Sequence, residues 1–209
     1  TELAAALERK GHEVHVFTRM GRGQRHYDRI DGVHYHRCPF NLNPNFIYEM
    51  SNNMSGSFVH HLFQVENLIG SFDVVHGHDW MVANALAWIK NSRHRRTVFT
   101  MHSTEYGRCG NKFYSGTSSA IRVLEWYGSY IADRVITVSN TLRNEVAWIY
   151  NVPHWKFRTI YNGISPHRFN GFIDPWSVKR RYGIGLWDPA VLFVGRIVHQ
   201  KGPDLLLEA

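Results

Sequence analysis

The 209-residue chain is 44% apolar and 14% aromatic, ample for a packed core, which excludes a disordered polymer and leaves room for one full domain and a remainder. Its formal charge of +7, from 24 basic and 17 acidic residues, fits an anionic ligand such as a nucleotide, a sugar phosphate or nucleic acid without choosing among them. Cys38 and Cys109 lack a metal-type pair spacing and no run of roughly eighteen apolar residues appears, so a disulfide framework and a membrane span are excluded and a reducing compartment, by default the cytoplasm, is expected.

Residues 1–10 predict a helix with Leu3 and Leu7 on one face, stopped by Gly11 after Arg9 and Lys10. Val14, Val16 and Phe17 predict a strand, and the basic, glycine-rich residues 21–29 a surface loop. Val33, Tyr35 and Arg37 alternate with His34 and His36 in a short strand closed by Cys38-Pro39. The Asn-rich residues 41–53 pass from loop into a helix carried by Phe58, Leu62, Val65, Leu68 and Ile69 up to Gly70.

Residues 72–89, FDVVHGHDWMVANALAWI, organise the rest. A strand at 73–76 breaks at the polar crest His76-Gly77-His78-Asp79-Trp80 and runs into a helix over 80–90. Asp79 is the expected N-cap, its carboxylate accepting a free amide of the first turn, and Val82, Leu86 and Ile89 form the buried stripe. A strand over 97–101 delivers a second crest, His102-Ser103-Thr104-Glu105-Tyr106-Gly107. Ile121, Leu124, Gly128 and Ile131 are helical, and residues 135–138 form a β-branched strand. Ser139 or Asn140 caps a helix ended by Pro153, and a short strand at 157–161 closes at the turn signal Asn162-Gly163. Strands alternating with helices mean βαβ units and a mostly parallel sheet, whose ligands bind beyond the carboxyl ends of the strands.

Asp174-Pro175 starts a short basic helix that Gly183 and Gly185 end, marking a hinge. Residues 190–194 predict a fresh buried strand, followed by Gly195-Arg196 and by Lys201-Gly202 at the mouth of a new helix. The chain starts inside a helical pattern and stops with a helix hardly begun, so both ends read as cuts through structure.

The third crest, VGRIVHQKG over 194–202, places Arg196 and Lys201 five residues apart, where they could grip a departing diphosphate; an exposed basic loop is the plainer alternative. His76 and His78 are read as facing opposite sides of an extended segment, which argues against a shared metal, and Trp80-Met81 lacks the second Asp-His of a metallohydrolase. Trp126, Tyr127 and Tyr130 fit a helix packed on a sheet better than a base-stacking platform. A non-catalytic basic domain binding nucleotide or nucleic acid stands as the competing class.

VGRIVHQKG resembles the G-R-x-x-x-Q-K-G segment of retaining glycosyltransferases with two Rossmann-like domains, the group containing glycogen and starch synthases. HGHDW is similar to that group's His-Asp-Trp crest, MHSTEYGRCGN stands where it carries a His-containing loop, and YNGIS resembles its N-G-I-D turn, with Ser165 in place of the Asp. The resemblance implies an α/β fold of the GT-B kind, a Rossmann-like parallel sheet with helices on both faces. Residues 1–170 would form the acceptor-side domain without its first strand, 171–189 the hinge, and 190–209 the start of the nucleotide-sugar-binding domain. It implies transfer of a hexosyl group from a nucleotide-diphosphate sugar, such as a UDP- or ADP-sugar, to a glucan or other saccharide, with retention. His102, Arg196 and Lys201 would be catalytic, and His78, Asp79, Trp80, Glu105 and Gly195 would bind substrate. No metal or other cofactor and no nucleic-acid partner is implied, and the piece alone is expected to be inactive.

Overall fold

The computed structural model describes residues 2–41 and 46–209, so Thr1 of the first expected helix and residues 42–45 of the Asn-rich stretch lie outside the described residues. The chain divides into two compact units, residues 1–161 and 162–209.

The first unit opens with α1 (Glu2–Glu8), β1 (His15–Arg19), β2 (Tyr27–Ile30) and β3 (Val33–Cys38). β1 pairs with β3 in parallel and β2 pairs with β3 antiparallel, so this sheet is mixed. β2 overlaps the end of the stretch expected to be loop over 21–29. Asp31 and Gly32, both at positive φ, make the tight reversal into β3 that the basic composition hid.

α2 (Ile47–Ile69) follows, starting well before the apolar period that announced it. Its buried Glu66 accepts hydrogen bonds from Arg95 Nε at 2.6 Å and from the backbone N–H of Phe72 at 3.1 Å, fastening the end of α2 to the approach of the next strand. Then come β4 (Val74–His78), α3 (Ala83–Arg93), β5 (Arg96–Met101), α4 (Glu105–Arg108), α5 (Thr117–Ile131), β6 (Arg134–Thr137), α6 (Asn140–Tyr150) and β7 (Phe157–Thr159). The sheet β4-β5-β6-β7 is parallel throughout and flanked by helices, as the alternating pattern requires. The expectation of one sheet is corrected to two: β1 and β4 are edge strands of separate sheets, with the Phe72 ring 5.1 Å from His15 and 6.1 Å from Phe17.

Phe99, Met101, Val135 and Val146 are at most 1% exposed and centre the core, with Leu86, Leu142 and Phe157 around them. Two glycines set how closely helices approach this sheet. A Cβ at Gly128 of α5 would lie 2.7 Å from the Phe99 ring, and one at Gly77 of β4 would lie 2.8 Å from both Leu86 and Val82. The end of α5 is capped by two lysines. Lys156 donates to the carbonyls of Ser129 at 2.8 Å and Tyr130 at 2.6 Å, and Lys90 donates to Ile131 O at 2.7 Å and to the Asp133 carboxylate. Of the two expected caps for α6, Ser139 serves, its Oγ accepting from Leu142 N at 3.0 Å.

In the second unit Asp174 caps α7 (Pro175–Arg181) as expected, accepting from the N–H groups of Trp176 and Ser177, each at 3.1 Å. Gly183, at φ 67°, follows the helix end. Asn162 and Gly163 lie in irregular chain where the first unit ends, not in a turn. The strand expected over 190–194 is not formed: Val191, Leu192 and Val194 are 82–84% exposed. A strand needs a ladder partner, and no described residue of this unit supplies one. The expected final helix is present as α8 (Pro203–Glu208) after Gly202, which takes the left-handed conformation.

Candidate functional site

The parallel pairing of β4 with β5 sets His76 opposite Val98 and His78 opposite Thr100, so both strands deliver their carboxyl ends side by side. The first two crests meet there. The His78 Nδ1 and His102 Nε2 atoms are 3.1 Å apart, one ring serving as donor and the other as acceptor. Asp79 N donates to Thr100 O at 2.8 Å, and one Asp79 carboxylate oxygen accepts the backbone N–H of His102 at 3.0 Å.

That second bond corrects the expected cap. The Asp79 side chain makes no hydrogen bond to the following helical turn; a 3-10 turn (Trp80–Val82) stands between it and α3, and the carboxylate bridges to the second crest instead. The backbone of Asp79 sits at φ 60°, ψ 169°, a conformation that glycine adopts freely and other residues only under strain. Behind it, Ser51 and Ser55 of α2 both donate to the carbonyl of Met81, at 2.8 and 3.3 Å, which satisfies the break between the turn and α3.

His76 and His78 are on the same face, not opposite faces, because side chains two apart on a strand point the same way. Their rings stack at 4.3 Å, and His78 stacks on His102 at 5.4 Å. His76 Nε2 is 2.6 Å from Thr100 Oγ1. Burial, then the neighbouring His78 and His102, push the His76 imidazole down to about 4. His78 is lowered by burial and by His102. The arrangement therefore offers uncharged imidazoles beside a fixed carboxylate, groups that can exchange hydrogen bonds with hydroxyls.

The second crest is held from below by residues that the sequence reading did not single out. Glu125 of α5, 1% exposed, accepts the backbone N–H of Glu105 at 3.0 Å and Arg108 Nη2 at 2.8 Å, and also accepts the Tyr150 hydroxyl. Burial raises the Glu125 carboxyl above the usual carboxylate range against the pull of these donors. Thr104 caps α4, accepting from Gly107 N at 2.9 Å, while its hydroxyl donates to Glu145 of α6. The available signal was an acidic residue four positions after Ile121 on the apolar stripe of α5, where an unpartnered charge would be costly.

Of the remaining residues singled out in the sequence, Trp80 is buried at 5% exposure, and Glu105 is buried with its carboxylate accepting Arg108 Nε at 3.1 Å. Gly195, Arg196 and Lys201 lie in the second unit, exposed, with Lys201 ending the 3-10 turn His199–Lys201 just before the left-handed Gly202.

A parallel α/β sheet with polar crests at its carboxyl ends is the architecture of Rossmann-like GT-B glycosyltransferases, and solved structures of that class share it. Sucrose-phosphate synthase from Thermosynechococcus elongatus superposes with a TM-score of 0.79 at 18% identity, over 99% of this chain and 51% of that one. The catalytic domain of starch synthase IV from Arabidopsis thaliana, bound to ADP and acarbose, superposes with a TM-score of 0.59 at 16% identity, over 90% and 55%. Residues 1–168 match the model of Glycosyltransferase Family 4, and the chain belongs to that family. An uncharacterized glycosyltransferase of Methanocaldococcus jannaschii, MJ1607, is 35% identical over 99% of this chain and 53% of its own length. Glycogen synthase of Mycobacterium tuberculosis is 30% identical over 62% of this chain and 30% of its own length. The chain thus spans about half, or less, of the length of these relatives. Among the described residues, no helix is long and apolar enough to cross a membrane.

Proposed function

We propose that the chain serves transfer of a hexosyl group from a nucleotide-diphosphate sugar to a glucan or other saccharide, with retention at the anomeric carbon. The observation that carries this reading is the convergence of His78, Asp79 and His102 at the adjoining carboxyl ends of β4 and β5. His102 would line the reacting sugar and Asp79 and His78 would contact sugar or acceptor hydroxyls, whereas Trp80 and Glu105, expected to bind substrate, are buried and would instead support the two crests from within. The likeness to a starch synthase holding ADP and acarbose supports a nucleotide and a saccharide as the two ligand classes. In this reading residues 1–170 form the acceptor side, 171–189 the hinge and 190–209 part of the donor side, working in the cytoplasm with no metal in the transfer step.

Arg196 and Lys201, beside Gly195, would neutralise the leaving diphosphate, whose charge is larger in the transition state than in the bound donor. Turnover of UDP- and ADP-sugars by the full-length protein tests the reading. Arg196→Ala and Lys201→Ala should each lower kcat by about 10²- to 10³-fold, since a preorganised charge-stabilising group is lost. Both side chains are exposed, so melting temperature should hold. Near-wild-type kcat in both variants would leave the two cations as a solvated basic loop.

A further inference from the structure

On the opposite sheet from the crests, β1 and β3 bring together a second set of histidines. The parallel register sets His15 beside His34, with their rings stacked at 4.3 Å and an interplanar angle of 2°. Glu13, just ahead of β1, reaches back so that its Oε1 lies 3.0 Å from His15 Nε2. One donor atom from each of Glu13, His15 and His34 lies within 4.8 Å of the others, and among the described residues this is the one group of three or more metal-type side chains so placed.

We propose that Glu13, His15 and His34 form a binding site for a divalent transition metal ion of the zinc type. Two imidazoles and one carboxylate suit Zn²⁺ and its neighbours rather than Mg²⁺ or Ca²⁺, which prefer oxygen donors throughout. Tetrahedral ligands at about 2.0–2.1 Å from zinc stand about 3.3 Å from one another, so Glu13 and His15 already have about the required separation, while His34, whose ring lies parallel to that of His15, has to turn out of the stack for both ring planes to contain the ion.

The ring nitrogens not needed for the metal are held. His34 Nδ1 is 2.8 Å from the Tyr27 hydroxyl, and His15 Nδ1 is 3.0 Å from His36 Nε2, which orients both rings as outer partners do in metal sites. The His15 side chain is 4% exposed whereas that of Glu13 is 69% exposed, so the group has a buried inner wall and an open outer lip. That lip is part of a depression lined also by Glu8, His12 and Arg29, through which an ion and a water ligand can enter. Arg29 is the opposing charge; its Nε is engaged by Gly32 O at 3.1 Å, and Glu8 and Glu13 offset it. Occupation would bind the α1–β1 connection to β3.

The test is calorimetric titration of tag-free full-length protein with ZnCl₂, backed by the visible absorption of the Co²⁺ form. One ion of each metal per chain is expected, the Co²⁺ spectrum being that of a site with nitrogen ligands, and excess Mg²⁺ should not displace it. Glu13→Gln and His34→Ala should each weaken Zn²⁺ binding at least about 10-fold, and Tyr27→Phe, which keeps all three ligands, by about 10-fold or more. His102→Ala breaks the close His78–His102 pair of the other sheet and should leave the affinity unchanged. Circular dichroism of each variant separates lost binding from lost folding, and the exposed Glu13→Gln change keeps the test open if His34→Ala misfolds. Equal affinity in wild type and Glu13→Gln, loss of binding in His102→Ala alone, displacement by Mg²⁺, or no binding at equimolar zinc would overturn the assignment.

Discussion

The carboxylate of Asp79 receives the backbone N–H of His102 across 3.0 Å, so the end of one strand fixes the start of the loop that leaves the next. Because Asp79 also holds a backbone conformation natural to glycine, strain and anchoring are concentrated in one residue. Asp79→Gly and Asp79→Ala both delete the anchor, but only glycine relieves the backbone. The glycine variant should be more stable than the alanine variant by about 1–3 kcal/mol in urea unfolding. Both should lose turnover in the full-length protein. Equal stability of the two would show that the backbone at this position carries no strain.

Glu125 is the post beneath the second crest. Glu125→Ala leaves the Glu105 amide and the Tyr150 hydroxyl without this acceptor and takes one of the carboxylates from Arg108, which keeps Glu105, and should destabilise the fold by about 3 kcal/mol. Glu125→Gln keeps the shape and most of the hydrogen bonds and should cost appreciably less. The ranking is read from denaturation midpoints. A glutamine variant as damaged as the alanine one would mean that the charge, and not the set of acceptor positions, holds the loop.

The close approach of α5 to β5 has a simple check. A methyl group at position 128 meets the fully buried Phe99 ring at 2.7 Å, too close for either to stay in place. Gly128→Ala should therefore destabilise by about 1–3 kcal/mol, against the gain that alanine usually brings to a helix interior. A stabilised variant would show that the helix can lift without cost.

Stability should also fall in mild acid. Burial, followed by nearby histidines, pushes His36 and His76 each down to about 4 from an ordinary 6.5. A histidine whose folded value is depressed stays neutral in the native state while the unfolded chain takes up a proton. Its contribution is complete above about pH 6.5, is lost as pH falls toward 4, and changes no further below that. Allowing for partial solvent access, the two together should account for on the order of 2 kcal/mol. The raised Glu125 carboxyl works the other way, favouring the fold at low pH and losing that contribution as pH rises. Urea unfolding at intervals between pH 7 and 4 measures the balance; stability that is flat or rising toward acid would contradict it.

What could be read from the sequence divides along physical lines. Strands β4 to β6 were legible because their apolar runs are bounded by polar residues and followed by helices, and β7 because a short apolar run follows the proline that ends α6. β2 was not, since Tyr27, Asp28, Arg29 and Ile30 carry no alternating pattern and the strand forms by pairing with β3. Local chemistry likewise favoured Asp79 as a helix cap, and a contact 23 residues away took its carboxylate. His78 and His102 were named as site residues from motif likeness, but their direct pairing and the stack with His76 follow from strand register, which periodicity does not give. Glu125 and Glu145 escaped notice because a buried acid looks like a surface one until its partners are placed.

The four residues Val191, Leu192, Val194 and Ile197 are each more than 80% exposed on chain that has the composition of a buried strand but no ladder. Amide deuteration gives this contrast a clock. Backbone N–H groups over 190–194 should exchange at rates near those of an unstructured peptide, whereas those of β5 should wait for global unfolding of the first unit. A partner that aligns with residues 190–194 would slow their exchange without altering that of β5, so this short segment is a built-in reporter of whatever pairs with it.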